Sequence, residues 1–182
     1  CYAQANEKWL AGDVDGARRF TEQALELSQN ATRVYPQLSE AFYHRAKFAA
    51  LLGNGQTAQS SLKTAILADR NYCIKADADR DFDGVREYIH NLFESLHQQA
   101  KQKATPALES VKKILDDWNF QCPEAKQAEP EIRNLFQQAE SLYRRDTYFD
   151  YLDALTSLEK AQQIFKPIPQ KEVRYQQAKE NA

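Results

Sequence analysis

The sequence predicts an all-α chain of antiparallel helical hairpins followed by further long helices, and three observations predict it. Ala, Leu, Gln, Glu, Lys and Arg dominate the 182 residues, with only 5 Gly and 6 Pro, and these are the residue types that lose least entropy in a helix. Two stretches align without gaps at an offset of 41 residues, Gly12-Asp13-Val14-Asp15-Gly16-Ala17 with Ala24-Leu25, and Gly53-Asn54-Gly55-Gln56-Thr57-Ala58 with Ala65-Ile66. From Val85 onward, apolar residues recur at helical spacing. The length suits one ordinary domain or a short array of repeats and excludes two long domains. With 42% hydrophobic and 27% charged residues the chain has enough apolar surface to form a core.

The repeats occupy residues 1–70. In each, an amphipathic segment runs into a Gly turn, a small Ala follows five residues later and a second Ala seven residues after that. This spacing puts both alanines on one face of the second helix, where small side chains let two antiparallel helices approach closely. Leu25 and Leu27, or Leu62 and Ile66, are expected to fill the space beside them. Each Gly supplies a helix-ending conformation that other residues adopt at a cost.

These features resemble the tetratricopeptide repeat (TPR) family. Its turn Gly, small residue, bulky residue and Ala are matched by Gly12, Ala17, Phe20 or Thr21, and Ala24, then by Gly53, Ala58, Leu62 and Ala65. Ala5 and Ala46 stand at the small position of the first helix, and Phe42 at its aromatic one. The family repeats every ~34 residues, so the helix running to Val34, or the turn at Tyr35-Pro36, carries about seven extra. The resemblance implies a TPR-like α-solenoid whose concave groove holds a peptide or helix. Its groove positions fall on Tyr2, Asn6 and Trp9 in the first repeat and on Glu40, Tyr43 and Lys47 in the second. Packing of Tyr2 and Trp9 against a neighbouring repeat is an equally good reading. Asn6 matches the Asn of the family's chaperone-binding clamp, but Tyr2 stands where a Lys belongs and His44 where a second Asn belongs. Binding of heat-shock chaperone tails is therefore not expected.

Residues 71–84 read as an Asp-rich connection, with 68–73 non-helical. Asp79, Asp81, Asp83 and Gly84 fit the first, third, fifth and sixth positions of an EF-hand loop, but His90 stands at the twelfth, where a bidentate Glu is required. Capping of the next helix by Asp81 or Asp83 is the favoured reading, and a cation at Asp77–Asp83 stays open. The Ala, Asp, Phe, Val and Arg arrangement here also looks like the segment that often closes a TPR array.

Residues 85–122 are expected to form a capping helix and a long helix. Val85, Tyr88, Ile89, Leu92, Phe93 and Leu96 form one stripe, and Leu108, Val111, Ile114, Leu115 and Trp118 another. Thr105-Pro106 reads as an N-cap followed by Pro at the first helical position; a single bent rod or a turn back are both left open. Residues 123–182 are expected to form a helical hairpin with a polar tail. Pro130 reopens a helix with Ile132, Leu135, Phe136, Ala139, Leu142 and Tyr143 on its apolar face. The turn is placed at residues 146–150, and Leu152, Leu155, Leu158, Ala161, Ile164 and Phe165 form the returning face. Lys166-Pro167-Ile168-Pro169 stops that helix, leaving a short terminal helix or a frayed tail.

Function classes narrow on the same residues. A net charge of −2 with interspersed signs gives no field that marks a nucleic-acid or anionic-membrane binder. No run approaches the ~18 apolar residues of a membrane span, so the chain reads as soluble and cytoplasmic, although an upstream leader or a lipidated Cys1 stays open. Cys1, Cys73 and Cys122 are far apart, without metal-ligand spacing, and read as free thiols. No phosphate loop, nucleophile elbow or zinc-protease motif occurs, and His44, His90 and His97 have no nucleophile at a readable spacing. No catalytic residue, metal or cofactor is expected. The leading expectation is a non-catalytic protein-binding scaffold or adaptor. The alternative is a dimerisation, spacer or regulatory segment of a larger multidomain protein, pairing through the stripes at 85–118 and 132–165.

Overall fold

The computed structural model describes residues 1–181. The chain is all-helical, with no strand among the described residues. Helices run α1 (Tyr2–Leu10), α2 (Val14–Val34), α3 (Ser39–Leu51), α4 (Gly55–Ala68), α5 (Asn71–Ala78), α6 (Arg86–Asp116), α7 (Pro123–Tyr143), α8 (Tyr148–Phe165) and α9 (Ile168–Glu180), with a 3-10 turn at Arg80–Val85. The chain divides into two compact units, Cys1–Ser95 and the residues from Leu96 onward, with the boundary inside α6.

In the first unit α1 packs on α2, α2 on α3, and α3 on both α4 and the 3-10 turn. The two Gly turns have the same geometry, since Gly12 and Gly53 both take φ of +75°, which other residues adopt only under strain. Each is followed by a side-chain N-cap: Asp13 accepts the Gly16 N–H at 2.9 Å and Asn54 accepts the Thr57 N–H at 3.0 Å. Ala5, Ala17, Ala46, Ala58 and Ala65 are buried at the helix contacts, so close backbone approach replaces bulk there. Leu62, Ile66, Phe82 and Ile89 provide the volume.

The two repeats diverge after their matching alanines. Helix α2 has 21 residues against 14 for α4, a surplus of seven. Leu27, expected in the core, is exposed as a result, because it stands on the part of α2 that outruns its partner. In the second repeat the chain instead breaks at Asp69, which is extended, and α5 restarts at Asn71, whose N–H donates to Asp69. Residues 71–73 are therefore helical rather than loop, and Tyr72 is buried.

In the second unit Val111 and Leu115 of α6 pack with Ile132 and Ala139 of α7, Ala154, Leu158 and Ala161 of α8, and Ile168 of α9. Thr105 is not an N-cap. Helix α6 runs unbroken through Pro106, and the Thr105 hydroxyl donates to the Lys101 carbonyl while meeting the Tyr143 hydroxyl at 2.7 Å. Burial of Ala100 and Ala104 on one side of Pro106, and of Val111 and Leu115 on the other, outweighs the hydrogen bond that Pro cannot make.

Pro130 likewise lies inside a helix. Helix α7 begins at Pro123, and its first turn is closed from α9, where Glu172 accepts the N–H groups of Gln121 and Cys122 at 2.8 and 2.7 Å. The α7–α8 turn is tighter than expected: residues 148–150 are already helical, Asp146 takes φ of 56°, and Thr147 caps α8 by accepting the Asp150 N–H. The C-terminal segment is helical through Glu180.

Candidate functional site

Three of the six expected groove residues converge, and their partners come from the chain itself. The Lys47 ammonium lies 2.9 Å from a carboxylate oxygen of Asp79 and 2.9 Å from one of Asp81. Tyr43 donates to Asp79 at 2.8 Å, and Tyr2 donates to Asp81 at 2.6 Å. Lys47 also sits over the rings of Tyr2 and Tyr43, with 5.3 and 6.0 Å to the centroids. Asp79 caps the 3-10 turn by accepting the Asp81 N–H, a role the sequence reading gave to Asp81 or Asp83.

The electrostatics of the cluster follow from its burial. Desolvation opposes the Lys47 charge, but hydrogen bonds to Asp79 and Asp81 outweigh it and hold the ammonium above its ordinary range. Burial likewise opposes the Asp79 carboxylate, and hydrogen bonds from Lys47, Tyr43 and the Asp81 amide hold it below the usual range. Burial and the adjacent Asp79 push the Tyr43 phenol far up. Asp83 pairs with Arg86, whose guanidinium also donates to the carbonyls of Ala76, Asp77 and Asp79. Asp79, Asp81 and Asp83 thus each face a cation of the chain instead of one common centre. Among the described residues no group of three His, Cys, Asp or Glu is arranged to hold a metal.

This arrangement seals the groove beside α3. Phe82 is fully buried with its ring 5.9 Å from that of Tyr43, and Tyr72 lies 4.9 Å away on another side. Asn6 and Trp9 are elsewhere, on a small cleft of about 200 Å³ with Arg18 and Leu51. Glu40 lies on the rim of a larger opening.

That opening is an apolar groove of about 470 Å³ among α1, α2 and α3, lined by Tyr2, Leu27, Ala31, Leu38, Ala41 and Phe48, with Glu40 and His44 at its edge. Leu38 also lines a neighbouring hollow with Tyr35. Leu27, Val34, Tyr35 and Leu38 are 59, 66, 66 and 46% exposed, so this end of the first unit carries a run of uncovered large side chains. No family model matches the chain, and neither a curated protein nor a solved structure shows significant similarity to it. The groove was missed in the sequence because Leu27 was counted as core. The signal that could have found it is the apolar series Leu27, Ala31 and Val34 on the surplus turns of α2.

In the second unit a polar cluster forms around Asp146, which accepts from Tyr151 and from Lys101 at 3.1 Å and lies 3.3 Å from His97. Hydrogen bonds from Tyr151 and Lys101 hold the Asp146 carboxyl below its usual range. His97, expected to be solvated, instead meets both the side chain and the carbonyl of Asp146. With three partners on one carboxylate at a positive-φ position, the cluster fixes the α7–α8 turn against α6.

Proposed function

We propose that the first unit is a non-catalytic, TPR-like protein-binding module, acting as a scaffold or adaptor, and that it holds a peptide or helix in the groove among α1, α2 and α3. The observation that carries this reading is the uncovered apolar run Leu27, Val34, Tyr35 and Leu38 beside a groove of about 470 Å³. A contiguous apolar surface rimmed by polar residues is a usual mark of a binding face. The groove is also in the volume range of ligand sites, about 300–1,000 Å³. Tyr43 and Lys47 support the module from inside, holding the Asp79–Val85 segment in place, and do not present themselves to a partner.

The alternative, pairing of two copies through the long stripes, has less to draw on. Val85, Ile89 and Leu92 are buried within the first unit, and Val111, Leu115, Ile132 and Leu158 within the second. No described helix is long and apolar enough to cross a membrane.

The test is a fluorescence-anisotropy screen of amphipathic and extended peptides against the whole chain and against Leu27→Glu/Leu38→Glu, with circular dichroism to confirm equal helicity and sedimentation velocity to measure self-association. The expected result is a monomer that binds a subset of peptides and loses them on substitution. Retention of every bound peptide by the double variant would overturn the assignment. A dimer dissolved by the same substitutions would make a second copy the occupant.

A further inference from the structure

The two repeats carry different residues at the same three places, and the difference gives the groove its chemistry. In the second repeat, Tyr43 is enclosed by the rings of Tyr72 and Phe82 at 4.9 and 5.9 Å. Forty-one residues earlier stand Tyr2, Ala31 and Ala41, and all three line the open groove. Tyr2 keeps its position and packs on Phe48 at 5.6 Å, but two methyl groups stand where the second repeat has two aromatic rings. The groove is thus an aromatic site without its aromatic filling.

Aromatic pairs in tilted or edge-on geometry gain beyond their buried area, and a lone Tyr facing two alanines leaves that gain to an incoming ring. The edge of the groove adds a charge preference. Glu40 is the one carboxylate among the lining residues, its side chain is 67% exposed, and its nearest cationic group is the His44 imidazole at 3.7 Å.

On the reading that the first unit binds protein partners in this groove, we infer that the occupant is a peptide segment that inserts an aromatic side chain next to a Lys or Arg. The ring takes the place that Tyr72 and Phe82 fill in the second repeat, and the cation pairs with Glu40.

Three small probes separate ring from charge: tyramine, a cationic phenol; isoamylamine, a cationic aliphatic; and 4-hydroxyphenylacetate, an anionic phenol. Each is titrated into the whole chain while methyl resonances of Ala24, Ala31 and Ala41 are followed by NMR. Tyramine is expected to give saturable ring-current shifts at all three, with the other two binding at least about five-fold more weakly, a difference of about 1 kcal/mol. Ala31→Tyr/Ala41→Phe, which supplies the missing rings internally, is expected to raise the melting temperature and abolish the tyramine response. Equal binding of isoamylamine would overturn the aromatic preference while leaving the protein-binding reading intact, and equal binding of 4-hydroxyphenylacetate would remove Glu40 from the recognition. No methyl shift with any probe, together with a lower melting temperature for the double variant, would sink both the inference and the docking site beneath it.

Discussion

Lys47 joins α3 to the Asp79–Val85 segment with one ammonium between two carboxylates, and its side chain is only 15% exposed. Lys47→Met keeps the stem and removes the charge, leaving Asp79 and Asp81 facing each other. It is expected to destabilise the first unit by roughly 1–2 kcal/mol, below the full cost of breaking a buried pair because the group keeps part of its hydration. Urea unfolding followed by Tyr and Trp fluorescence measures this. The pH dependence has two limbs of defined sign. The Asp79 pKa is lower in the folded chain, so its contribution is complete above the unfolded carboxyl value of about 4 and is lost as pH falls through the folded value. The Lys47 pKa is raised, so its contribution is complete below about 10.4 and is lost as pH rises through the folded value. In Lys47→Met the alkaline limb attributable to this residue should vanish.

At the scale of elements, what was legible in the sequence is what depends on near neighbours. Gly12 and Gly53, the buried alanines of both repeats and the caps at Asp13 and Asn54 all act within one helical turn or one hairpin. The prolines misled for the converse reason. Pro106 and Pro130 have the local signature of helix starts, but whether a helix continues through Pro depends on what its two sides pack against, and those partners lie 40 or more residues away on α8. The expected groove failed similarly, since Lys47, Asp79 and Asp81 are separated by more than thirty residues and no spacing rule connects them. Pro106→Ala restores an N–H opposite the Gln102 carbonyl in a helix that already has the right path. It is expected to stabilise the second unit by about 1–3 kcal/mol, read as a shift of the urea midpoint at unchanged slope; destabilisation would mean that the helix needs the Pro geometry.

For the whole molecule, the three free thiols report on the two units separately. Cys1 is exposed. Burial and the neighbouring Asp77 push the Cys73 thiol up to about 11, so near neutral pH little thiolate is present to react. Cys122 is buried at the first turn of α7, where Glu172 holds the adjacent backbone N–H groups. Labelling with an aromatic disulfide reagent at pH 8 should therefore be fast at Cys1, slow at Cys73, and limited by opening of the second unit at Cys122. Glu172→Ala should accelerate Cys122 alone; equal acceleration of Cys73 would show that the units open together.

The seven surplus residues of α2 bear on how such a surface can arise without disturbing the rest of the fold. Seven residues advance a helix by about 10.5 Å while changing its rotational phase by only ~20°. A heptad inserted here lengthens the apolar ridge and leaves every side chain already packed beneath it facing the same way. Insertions of five or nine residues would swing Leu27 and Ala31 toward the opposite side, so the groove can change in length by whole heptads and by little else.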